Sequence, residues 1–63
     1  MPDLNLTPNI DGADDFYAEL LATHEGLSNA DSQALNARLI LLLANHIGDR
    51  AVLSGALKAA ALT

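Results

Sequence analysis

Apolar and polar positions along the chain sort into four stretches. In the first, residues 1–11, Leu4, Leu6 and Ile10 fall at even spacings, which puts them on one side of an extended segment. Pro2 and Pro8 oppose helix over the same stretch. An extended N-terminal arm is expected, either frayed or laid across a helix or a neighbouring chain; its three large apolar residues favour the second. Residues 12–63 then read as a single helical domain.

From Gly12 to about Glu25 the period becomes helical. Ala13, Phe16, Tyr17, Leu20, Leu21 and His24 share an arc of about 140°. Asp14, Asp15, Ala18, Glu19, Ala22 and Glu25 occupy the remainder. Asp11 is the expected N-cap, Asp14 and Asp15 complement the dipole of the first turn, and Gly26 supplies a left-handed exit.

A second helix is expected from just after Ser28, with Asp31 completing a short-armed capping box, to Ile47, stopping at Gly48. Asp31, Arg38 and Asn45 form one narrow polar stripe on it. Leu35, Leu39, Ile40, Leu42, Leu43, Ile47 and their neighbours fill an arc of roughly 260°. A helix apolar almost all round must be covered almost all round. Asn36 lies inside that arc, where an amide either fixes register and partner choice or reaches water near the helix start.

The third helix should begin at Asp49 and run towards the C-terminus. Val52, Leu53, Ala56, Leu57, Ala59 and Ala60 form its apolar face, opposite Arg50, Ser54 and Lys58. Gly55 interrupts it and suggests a close backbone contact, since glycine costs about 1 kcal/mol against alanine in a helix. Short glycine-containing turns make successive helices antiparallel neighbours. The expected fold is therefore all-α, a three-helix antiparallel arrangement. Helices one and three should each cover about 100° of helix two, and dimerisation should complete the core.

Composition sharpens that expectation. A 63-residue chain is at the lower end of what one core can stabilise, and 51% of its residues are apolar. It contains no cysteine, which excludes disulfides and thiolate zinc sites and leaves association as the remedy for a small core. A homodimer, or a larger protein partner, is thus expected. The interaction residues would be Leu35, Asn36, Leu39, Ile40, Leu42, Leu43 and Ile47. Met1-Pro2-Asp3 lacks the basic and apolar start of a signal peptide, and the apolar run Leu39–Ala44 is too short to span a bilayer. A cytoplasmic protein without membrane contact is expected.

The net charge of −5 is unevenly placed. Residues 1–31 carry seven acids and no Lys or Arg, hence −7. Residues 32–63 carry Asp49 against Arg38, Arg50 and Lys58, hence +2. Three basic residues cannot track a phosphate backbone, so nucleic acid is not an expected partner. The acidic run is expected to be a solvated face of the first helix.

Candidate chemistry is sparse. His24 and His46 both lie on apolar faces near helix C-termini, as partly buried imidazoles would. A metal site joining them with Glu25 or Asp49 would have to be intermolecular, because an antiparallel hairpin holds those ends about 27 Å apart. Asp14 and Asp15 cannot act as a carboxylate dyad, since adjacent helical positions diverge by about 100°. No nucleophile–base pair or phosphate loop can be assembled, so no catalytic residue and no cofactor is expected. Asp31-Ser32 at the start of a helix resembles the Asp-Ser-Leu attachment site of acyl-carrier proteins. Gln33 stands where those proteins have leucine, and the second helix carries Arg38 and no acid after Asp31. Modification at Ser32 is the alternative this likeness implies.

Asp15-Phe16-Tyr17 together with the run Leu35–Asp49 resembles a short bacterial family designated domain of unknown function 2783. The likeness extends from about Asp14 to Leu57. It implies no catalytic residues. It implies an accessory subunit of a degradation enzyme, namely a flavin-dependent aromatic hydroxylase. The leading expectation is a non-catalytic helical protein that self-associates and docks on a metabolic enzyme. The alternatives are the Ser32 carrier and the His24–His46 intermolecular metal site.

Overall fold

Three helices make up most of the computed structural model, which describes residues 4–61: α1 (Ala13–His24), α2 (Asn29–Ile47) and α3 (Arg50–Ala61). There is no strand among the described residues, and the fold is all-α. Met1, Pro2 and Asp3 of the expected arm and signal-peptide reading lie outside the described residues, as do Leu62 and Thr63.

Each helix boundary has a local cause. At α2, the Asp31 N–H donates to Ser28 Oγ at 3.1 Å, satisfying one of the orphan donors of the first turn. Gly48 ends that helix in the left-handed conformation, φ 74°, with its N–H donating to the Ala44 carbonyl at 2.9 Å. Asp49 then caps α3, its Oδ1 accepting from the N–H groups of Ala51 (2.9 Å) and Val52 (3.2 Å). The start of α1 departs from expectation. Gly12, not Asp11, holds the cap position in a left-handed conformation (φ 56°), and no side chain caps the helix. Helix begins at Ala13, so Asp11 stands one residue too early to reach the free N–H groups.

Residues 4–10 form no helix. Asn5 Oδ1 accepts from both the N–H (3.0 Å) and the hydroxyl (2.7 Å) of Thr7, a local turn within the arm. Leu4 is half-buried, but Leu6 (80% exposed) and Ile10 are uncovered by their own chain.

No described residue is buried. The radius of gyration is 13.5 Å, against about 10.6 Å for a compact chain of this length. The surface of 5610 Å² exceeds by about 1,700 Å² the roughly 3,900 Å² of a monomeric protein of 6.6 kDa. Its unfolded chain would expose about 9,600 Å², so folding alone hides only about 40%, where a domain of this size ordinarily hides about 60%.

The uncovered arm and the middle of α2 show why. Ile40, Leu41, Leu42 and Leu43 are 63%, 70%, 69% and 50% exposed. Four successive helical positions point in four directions about 100° apart, so this section is bare all round. The expectation that α1 and α3 would each sheathe one side of α2 overstates their reach. At 1.5 Å per residue α2 is about 28 Å long and the other two about 18 Å each. Helix α1 meets the first half of α2 at Leu35 and Leu39, and α3 flanks its second half from Ile40 to Ile47. Neither crosses the middle completely.

Candidate interaction site

The expected interaction residues of α2 divide between two apolar surfaces. Leu35 and Leu39 are half-buried in a shallow cleft of about 150 Å³, bordered on the α1 side by Phe16, Glu19, Leu20 and Thr23. Ile40, Leu43 and Ile47 are turned by about 90° round α2 from that pair, towards a groove between α2 and α3 of about 450 Å³. Leu42 is exposed outside both.

The groove follows from one spacing used twice. On α2 its wall is Ile40, Leu43, Ala44 and Ile47; on α3 it is Leu53, Ala56, Leu57 and Ala60. Both sets run i, i+3, i+4, i+7, a single helical stripe rising about 10.5 Å. The chain turns at Gly48 and Asp49, which brings both stripes to one open groove between the two helices. Arg50, at the turn, is the one charged residue among the described residues that line the groove. The α3 half was absent from the expected interaction set. Its signal was present in the sequence as the same spacing that marked α2, at alanines easily taken for helix-forming filler.

Asn36 does not extend the apolar surface. Its Oδ1 lies 2.7 Å from Nε2 of His24, whose Nδ1 lies 2.8 Å from the Leu20 carbonyl. The imidazole therefore ties the end of α1 to the first half of α2. Both ring nitrogens face oxygen acceptors, an arrangement only the imidazolium can satisfy by donating twice. The bond to the Leu20 carbonyl, and secondarily that to Asn36, raises the His24 pKa above its ordinary 6.5, while desolvation opposes the rise. Neither the register role nor the water-facing role expected of Asn36 includes this histidine.

The remaining candidates stand apart. Ser32 is half-buried in the first turn of α2, its N–H donating to the Ser28 carbonyl at 2.9 Å. His46 is exposed in the last turn of α2. Among the described residues no group of three or more His, Asp or Glu is placed to hold a metal ion. No helix of the described residues is long and apolar enough to cross a membrane.

Three helices, two of them capped by side chains at their N-termini, with apolar stripes open to solvent, define a small all-helical chain built around exposed apolar surface. Within that class its family is identifiable. The chain belongs to the family described as Protein of unknown function (DUF2783), whose sequence profile matches residues 4–62. No curated protein and no solved structure matches the chain.

Proposed function

We propose that this chain is a self-associating helical protein that works by contact with other proteins, carries no catalytic site, and serves as an accessory subunit of a metabolic enzyme. The observation that carries the self-association is the excess of exposed surface, about 1,700 Å² over a compact monomer of the same mass. Two copies covering that much each would bury about 3,400 Å², inside the range of obligate homodimers. Such interfaces resemble a domain core cut in half, and the bare section from Ile40 to Leu43 supplies that kind of surface.

The accessory role rests on the family likeness, which implies a flavin-dependent aromatic hydroxylase as the enzyme served. Leu41 and Leu42, exposed and outside the α2–α3 groove, give a second apolar surface for that contact.

Sedimentation equilibrium over a concentration series tests the self-association. The expected result is a dimer at micromolar concentration whose helical circular dichroism is lost on dilution, because folding and association are one equilibrium. A helical, cooperatively folded monomer at the same concentrations refutes it.

A further inference from the structure

We propose that the α2–α3 groove is closed by the same groove of a second copy, the two helical hairpins stacked face to face with their turns at opposite ends. This rests on the self-association reading and names the surface and geometry that achieve it.

The occupant follows from size and shape. Each wall is a straight stripe about 10.5 Å long, two turns of helix, which a helix of another chain can match turn for turn. Each wall also mixes large and small residues. Ile40, Leu43 and Leu57 project, while Ala44, Ala56 and Ala60 leave hollows, so one groove presents both the knobs and the holes that another copy requires. A chain that hides only about 40% of its surface must have its partner whenever it folds. The one protein always present when it folds is another copy of itself.

Arg50 selects the orientation. If the two Gly48 turns lay at the same end, two desolvated guanidinium groups would be brought together at the closed end of the groove, an unfavourable pairing of like charges. With the turns at opposite ends they are separated by the length of the stripes, about 10 Å or more, and screened by salt. A twofold axis then passes across the helices at mid-stripe. Helix α2 lies on α2 of the second copy and α3 on α3, and the axis crosses between the levels of Ala44 and Ala56, small residues about 7 and 11 Å from the turn.

That geometry is open to a direct test. Helices packed through alanine lie about 8–10 Å apart and their Cα atoms lie about 2.3 Å from each axis. Facing Cα atoms at the crossing are then about 3.5–5.5 Å apart, overlapping the separation of about 4.4–6.8 Å that a disulfide spans. The sequence contains no cysteine, so a single introduced thiol can link only to its counterpart in another copy. The full chain is prepared as Ala44→Cys, Ala56→Cys and Arg38→Cys, the last on the polar stripe of α2. Each is checked for wild-type helicity and oxidised in a glutathione buffer, and linked dimer is followed by non-reducing electrophoresis.

Ala44→Cys and Ala56→Cys should each link at least about a hundredfold faster than Arg38→Cys, the gain that a fixed proximity gives over random encounter. Linkage that appears only when Ala44→Cys and Ala56→Cys are mixed would place α2 on α3 and overturn the orientation. Preferential linkage of Tyr17→Cys to Ala44→Cys would put α1 in the groove and overturn the proposal. If neither groove variant outruns Arg38→Cys while the unmodified chain sediments as a dimer, the groove is not the interface and self-association stands. If the unmodified chain is a folded monomer, both readings fall.

Discussion

Leu57→Ala separates the two states available to this chain because the isolated fold and the associated one give it different magnitudes. Leu57 is 71% exposed in the single chain, so only about three-tenths of its surface is already removed from water. Full burial of a leucine stabilises by about 1.5–3 kcal/mol, so truncating Leu57 in an isolated chain should cost about 0.5–0.9 kcal/mol. Helix propensity slightly favours alanine and offsets part of that. A leucine enclosed on all sides costs about 2–5 kcal/mol when cut to alanine, because a cavity adds to the forfeited transfer energy. The groove dimer encloses it once per chain, so the dimer should lose about 4 kcal/mol or more. Urea unfolding followed by helical circular dichroism at two protein concentrations distinguishes these. The wild-type midpoint should rise with concentration, and Leu57→Ala should lower it at both by an amount equivalent to at least about 2 kcal/mol per chain. A midpoint changed by no more than about 0.9 kcal/mol, with no concentration dependence in either protein, would show that Leu57 stays in water and that the reasoning from exposed surface is wrong.

Gly55→Ala should stabilise the chain by about 0.5–1 kcal/mol, seen as a raised melting temperature, because a Cβ there meets nothing within 4 Å and the helix gains intrinsic propensity. A lowered melting temperature would mean that a second copy approaches the backbone at Gly55. The His24 tie should make stability depend on pH in one direction. Its folded pKa lies above the ordinary 6.5, so its contribution is complete below about 6.5 and is lost as pH rises through the folded value. Thermal melts across pH 5.5–8.5 should show that loss in the wild type and not in His24→Leu; equal pH profiles would remove the imidazolium from the account.

The elements legible in the sequence were those set by local chemistry. Ser28 and Asp49 capped the helices expected of them, and Gly26 and Gly48 took the positive φ values, 79° and 74°, that an L side chain rarely adopts. The first cap was misplaced by one residue because Asp11-Gly12 offers two cap-compatible residues in succession, and propensity does not say which one turns the chain. Two tertiary features were not legible. His24 and Asn36 each appeared as a lone polar residue on an apolar face, and only the crossing of α1 over α2 brings them within 2.7 Å. Gly55 suggested a close contact because glycine is costly in a helix, yet among the described residues nothing lies within 4 Å of where its Cβ would stand. Periodicity identifies which face of a helix is apolar. It does not say what stands opposite.

That limit bears on function here. The wide apolar arc of α2 was expected to be closed by its own neighbours, with a remainder for a partner; the fold reverses the proportion, since α1 and α3 are each about 10 Å shorter than α2 and attach to different halves of it. A fold that leaves so much apolar surface exposed links stability to concentration and to any protein that covers the same stripes. A groove closed between two copies and an outer surface at Leu41 and Leu42 would let the chain hold its own fold and still contact an enzyme. If both tasks used one groove, enzyme binding would have to dissociate the dimer and would weaken as the chain's own concentration rose. Two surfaces would remove that competition, and with residues 40–43 exposed all round a helix of only nineteen residues would have room for both.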